Sequence, residues 1–157
     1  MIFQRTPRNT PRILAVASGG GHWVQLLRLR EAFAGAEVHY ATVDPSAAAV
    51  VRPAPVHVYP DANKETKVKL ALAAFRLLMI VLKVRPDVVI STGAAGGFFA
   101  IRFARLIGAR TLFVDSIANA RHLSVTAQMC RGVADRVVSQ WPDVARQSGA
   151  EFWGSVL

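Results

Sequence analysis

Cysteine is almost missing from this chain: Cys130 stands alone among 157 residues. No disulfide framework can form, and a lone thiol suits a reducing compartment. Acidic residues are scarce, 10 against 19 lysines and arginines, which leaves a formal net charge of +9. Such an excess points to nucleic acid, an anionic membrane surface or an anionic substrate. Although 52% of the residues are hydrophobic, no uncharged apolar run reaches the roughly 18 residues a membrane span needs. The opening stretch MIFQRTPRNTPR has no apolar core of the signal-peptide kind, and the chain is read as cytoplasmic.

Familiar chemical motifs are missing too. Gly-Lys-Ser and Gly-Lys-Thr do not occur, which excludes a Walker loop. Gly19 and Gly21 begin a dinucleotide fingerprint, but Val24 stands where its third glycine belongs. There is no nucleophile elbow, no paired Cys or Cys/His spacing for zinc and no Asp-x-Asp pair, so no metal is expected. DNA or RNA binding is disfavoured. The basic residues are scattered over several segments, and the aromatics are not interleaved with them as stacking platforms would be.

What is present is an alternation of strand and helix patterns. Strands are expected at 12–17, 37–43, 55–59, 87–91, 110–114, 135–139 and near 150–153. Helices are expected at 22–34, 66–84, 97–107, 121–132 and 142–148. Strands rich in Val, Ile and Leu alternating with helices imply an α/β domain, a Rossmann-like parallel sheet covered on both faces. Length fits a single domain over 11–157, with a frayed terminus over 1–10.

In such sheets ligands gather at the carboxyl ends of the strands. The residues there are Ser18, Gly19, Gly20, Gly21 and His22, then Asp44, then Thr92 to Gly97, then Asp115, Ser116 and Asn119, then Gln140 and Trp141. Two glycine-rich turns, Ser18–Gly21 and Thr92-Gly93-Ala94-Ala95-Gly96-Gly97, lead into helices. Free N–H groups and the positive end of a helix dipole make such turns suitable for phosphate, and a pair on one edge suggests a diphosphate. The structural alternative is that these glycines serve turn sterics alone. His22 lies in the first turn of its helix, where the dipole opposes a positive ring and a neutral imidazole could take a proton from a sugar hydroxyl. Asp115 is the second candidate base; its structural alternative is capping the segment that follows. Asp44, about 20 residues beyond the first turn, could bind a ribose. His39 and His57 alternate within strands and read as packing or surface residues.

The stretch KVKLALAAFRLLMIVLKVRP places Lys69, Arg76 and Lys83 seven residues apart, one basic stripe on an otherwise apolar helix. Such a helix can lie in a membrane interface, or it can be a buried crossover with one solvated stripe.

Strand, then SGGGHW, then helix resembles the start of the Alg14-like proteins, which include the PssD-type polysaccharide glycosyltransferase subunits. The likeness continues through KVRPDVVISTGAAGG and VDSIANARHLSVTAQMCRGVADRVVSQWPDVA and reaches AEFWGSVL, covering about 12–157. It implies the N-terminal, acceptor-side half of a GT-B glycosyltransferase. A separate Alg13-like or PssE-like chain would bind the UDP-sugar. The pair would transfer the sugar, with inversion and without metal or other cofactor, to a lipid-diphosphate-linked acceptor. The setting implied is exopolysaccharide or capsule assembly on the inner face of the cell membrane. Gly19, Gly20, Gly21, Thr92, Gly93, Gly96 and Gly97, with Ser18, would hold the diphosphate. His22, then Asp115, would supply the base. Ser116, Asn119, Gln140 and Trp141 would shape the cleft edge or the partner interface. Eukaryotic members carry an N-terminal membrane anchor that this sequence does not show, so membrane contact would be peripheral. A non-catalytic membrane-recruiting scaffold and a self-sufficient nucleotide-binding protein are the alternatives.

Overall fold

The structure is a computed structural model that describes residues 9–62 and 66–156. Most of the expected terminus at 1–10 therefore lies outside the described residues. Seven strands, β1 (Arg12–Val16), β2 (Glu37–Thr42), β3 (Val56–Val58), β4 (Val88–Ser91), β5 (Arg110–Val114), β6 (Arg136–Ser139) and β7 (Glu151–Phe152), form one sheet. Their order is β3-β2-β1-β4-β5-β6-β7, and every pairing is parallel. The order reverses between β1 and β4, so the crevice that such folds use for ligands opens at the ends of these two strands.

Among the described residues six helices cover the sheet: α1 (Gly20–Arg28), α2 (Ala48–Val51), α3 (Lys67–Val84), α4 (Ala94–Leu106), α5 (Val125–Cys130) and α6 (Pro142–Ser148). Alternation within β1 divides the core. Leu14 and Val16 pack with Leu77, Val81 and Ile101 of α3 and α4, whereas Ile13 and Ala15 pack with Leu26 and Phe33 on the other face. Both faces are covered, which explains why the strands read as continuous apolar runs.

The expected strands agree with the sheet to within one or two residues, but four helical boundaries differ. Helix 22–34 stops at Arg28 and continues as a 3-10 turn over Arg30–Phe33, which still buries Phe33. Residues 45–51, left without an element by the sequence reading, form a 3-10 turn and α2, started by Asp44 capping the N–H of Ser46. Helix α4 begins at Ala94 rather than 97. Helix α5 begins only at Val125, where Ser124 Oγ accepts from the N–H of Ala127, because residues 116–124 are held as a loop.

At the outer edge, His39 and His57 form a stacked pair with ring nitrogens 3.1 Å apart, and the other nitrogen of His39 meets Glu37. Burial first, then His39, Lys83 and Arg76, hold the His57 imidazole below its ordinary pKa of 6.5. The unfolded chain therefore binds the His57 proton more readily than the folded one. This contribution to stability is complete above pH 6.5 and is lost as pH falls towards the lowered folded value. Urea unfolding at pH 7.5, 6.5 and 5.5 should give falling midpoints, and His57→Gln should flatten that trend.

Candidate functional site

The two turns at the switch point are joined through one side chain. His22, third residue of α1, places Nδ1 2.9 Å from the carbonyl oxygen of Thr92, just past β4. A carbonyl oxygen only accepts, so in the neutral ring Nδ1 carries the proton and Nε2 the lone pair. Thr92, fully buried, returns a second bond, its hydroxyl donating to the carbonyl of His22 at 2.7 Å. The imidazole is thus fixed in tautomer and position, with Nε2 as its acceptor end.

Gly93 makes this possible. A Cβ there would stand 2.2 Å from Nδ1 of His22, and its φ of +149° is one that side chains rarely adopt. Ala94 follows with φ +64°, a left-handed conformation that costs a non-glycine residue of the order of 1 kcal/mol. Gly20 and Gly21 open onto free space, so the N-terminus of α1 is accessible to an anion.

The second turn is shorter than the sequence suggested. Gly96 and Gly97 lie inside α4, and packing explains their lack of a side chain. A Cβ at Gly96 would stand 2.6 Å from the ring of Tyr59, and one at Gly97 2.0 Å from Ser91 Oγ. They set how closely α4 approaches the sheet; the turn itself is Thr92-Gly93. Ser18 sits at the mouth of the other turn, with its carbonyl accepting from Thr42 Oγ1.

Asp115 is 2% exposed. One carboxylate oxygen accepts from Asn119 Nδ2 at 3.0 Å and the other from the N–H of Ser124 at 2.9 Å. Charge-assisted bonds of this kind contribute about 1.5–3 kcal/mol each. Its geometry corresponds to the capping alternative: Asp115 ties down the 116–124 loop. Ser116 accepts from the N–H of Ala118 in the same loop.

Gln140, expected at the cleft edge or the partner interface, is equally buried, at 1% exposure. It donates to the carbonyl of Asp115 and accepts from the N–H of Val156. Trp141 is partly exposed, with its indole N–H on the carbonyl of Ile117 at 2.7 Å. Gln25 of α1, which the sequence reading missed, completes the network. Its amide donates to the carbonyl of Asp115 and accepts from the N–H of Ile117. Only its place four residues before the apolar Leu29, on the same helical face, hinted at burial, and a single glutamine carries no motif. Asp44, the ribose candidate, has both carboxylate oxygens on Ser46; this hydrogen bonding holds its pKa below the ordinary range. Among the described residues no group of three His, Cys, Asp or Glu could hold a metal ion.

Helix α3 forms over the expected residues. Val68, Leu72, Phe75, Met79 and Leu82 are exposed on it, spaced four and three apart, hence in one stripe. Lys69, Arg76 and Lys83 run beside that stripe, each one residue further on. Arg76 also donates to the carbonyl of Val58 at 3.2 Å. No helix among the described residues is long and apolar enough to cross a membrane.

Sheet order, switch point and paired turns define a Rossmann-like domain of the kind that forms the N-terminal half of GT-B glycosyltransferases and related epimerases. MurG from Acinetobacter baumannii superposes with TM-score 0.68 and 19% identity, over 85% of this chain and 43% of that one. UDP-N-acetylglucosamine 2-epimerase from Rickettsia bellii superposes with TM-score 0.73 and 10% identity, over 94% of this chain and 46% of that one. The family model described as "Oligosaccharide biosynthesis protein Alg14 like" matches residues 58–156, and the chain belongs to that family. Among its relatives is the UDP-N-acetylglucosamine transferase subunit ALG14 of Yarrowia lipolytica, 30% identical over 63% of this chain and 47% of that protein. The same-named subunit of Eremothecium gossypii is 26% identical, over 96% of this chain and 82% of that protein. The chain thus spans about half of the first relative and most of the second.

Proposed function

We propose that this chain is the acceptor-binding, base-carrying subunit of a two-component inverting glycosyltransferase. Its partner, an Alg13-like or PssE-like chain, binds the UDP-sugar, and the acceptor is a lipid-linked diphosphate. The relatives' names make UDP-N-acetylglucosamine the donor to try first. The observation that carries the reading is the clamp between His22 and Thr92 at the switch point. It leaves a lone pair on Nε2, between the first turns of two helices whose dipoles favour an anion.

In the transfer step, the acceptor hydroxyl gives its proton to Nε2 of His22. Its oxygen forms a bond to the anomeric carbon from the face opposite the leaving group. The bond from that carbon to the β-phosphate oxygen breaks, and UDP departs with the electron pair. The diphosphate of the acceptor rests on the N–H groups of Gly20, Gly21 and the first turn of α4. Asp115, Gln25 and Gln140 keep the 116–124 loop in place beside the cleft. The stripe on α3, with Lys69, Arg76 and Lys83, meets the anionic inner face of the cell membrane, so the protein is peripheral and cytoplasmic. Exopolysaccharide or capsule assembly is the setting that suits this acceptor.

The test is a transfer assay with radiolabelled UDP-N-acetylglucosamine and lipid extract, using this chain alone, the partner alone and both. Product from the mixture only supports the reading. Product from this chain alone would place the donor site within it and overturn the division of labour.

A further inference from the structure

The outer edge of the sheet offers a place for the rest of the acceptor. An open groove of about 530 Å³ lies between the end of β3 and α3. Its lining is mainly apolar: Val43, Val58, Pro60, Leu72 and Phe75, with the ring of Tyr59. Asp61 and Arg76 are its charged lining residues, one of each sign, so the groove itself has no preference for an ion.

Two connections give it direction. At one end Leu72 and Phe75 belong to the exposed stripe of α3. At the other, Tyr59, Pro60 and Asp61 also wall a water-sized void of about 10 Å³ shared with Ser18, Ala94, Ala95 and Gly96. The groove therefore lies one residue layer from the first turn of α4. The hydroxyl of Tyr59 is buried against Gly96 and has no hydrogen-bond partner among the described residues. Burial, with Asp61 second, raises the pKa of this phenol, so it remains a donor at neutral pH. A buried donor without a partner beside a void of this size suits a single bridging water between Tyr59 and the first turn of α4.

We infer that the β3–α3 groove holds the first part of the acceptor's apolar chain, leading it from a diphosphate at the α1 and α4 turns to the exposed stripe of α3. This rests on the reading of the turns as a diphosphate site. The length of chain buried, rather than the diphosphate alone, then sets acceptor affinity, since each buried methylene strengthens binding about fourfold.

Calorimetric titration of the full chain with farnesyl diphosphate, inorganic diphosphate and farnesol separates the two ideas. Farnesyl diphosphate should bind at least about tenfold more tightly than inorganic diphosphate. Val58→Trp, which fills the groove from the edge strand, should remove that difference and leave inorganic diphosphate binding unchanged. Leu72→Asn, on the exposed face of α3, should reduce the difference and serves if Val58→Trp does not fold. Equal binding of the two diphosphates would overturn the groove while leaving the diphosphate site standing. Binding of farnesol without inorganic diphosphate, abolished by Val58→Trp, would support the groove and sink the diphosphate site. Binding of none of the three would overturn both.

Discussion

His22→Ala is expected to lower sugar transfer by about 10²–10⁴-fold, the usual contribution of a positioned general base, with little change in the thermal midpoint. The ring is half-buried and makes a single side-chain bond, to the carbonyl of Thr92, so its removal leaves a small gap open to solvent. Stopped assays with the partner and a saturating acceptor should find the loss in kcat, because the proton moves only in the transition state. Full activity would remove His22 from the chemistry and favour the scaffold reading. Gly93→Ala sharpens the test. Its methyl group must displace the imidazole, with a contact of 2.2 Å to Nδ1, while His22 itself remains. A similar loss in this variant would place the requirement on the position of the ring as well as on its presence. Unaltered transfer would mean that the clamp does not matter.

The second large effect concerns the membrane. Val68→Glu combined with Met79→Glu is expected to reduce binding to vesicles containing 30 mol% phosphatidylserine by at least about tenfold. Both residues lie on the exposed stripe of α3, at 72% and 46% exposure, and neither lines the groove or the turns, so transfer to a soluble acceptor should be preserved. Wild-type binding should also weaken as salt rises from 0.1 to 0.5 M, since Lys69 and Lys83 act through a potential that ions screen. Co-sedimentation measures both effects. Unchanged sedimentation of the double variant would show that α3 is a solvated crossover helix and that contact, if any, lies elsewhere.

The sheet was legible because each strand is a short apolar or alternating run bounded by a turn signal. Pro45 ends the second, Pro86 precedes the fourth, and Gly108 precedes the fifth. Helix α3 was legible because eighteen residues of periodic pattern leave little ambiguity. The first turn of α4 was misplaced for a physical reason. Gly96 and Gly97 look like loop glycines, but α4 needs them to lie close to Tyr59, distant in sequence, and to Ser91 on the neighbouring strand. The late start of α5 was hidden likewise, since Asp115 holds Ser124 through a tertiary bond that no local propensity encodes.

By itself, then, the sequence determined the α/β class, the two glycine-bearing turns on one edge of the sheet and the basic, apolar helix expected at 66–84, because periodicity and backbone restriction act over a few neighbours. Only the tertiary structure decided which residues share a site. The strand order brings His22 and Thr92, seventy positions apart, into contact, and this contact orients the imidazole. The same packing turned Asp115 and Gln140 into buried struts. A buried polar group must find its partners wherever the fold supplies them, and those partners lie on other elements of the chain.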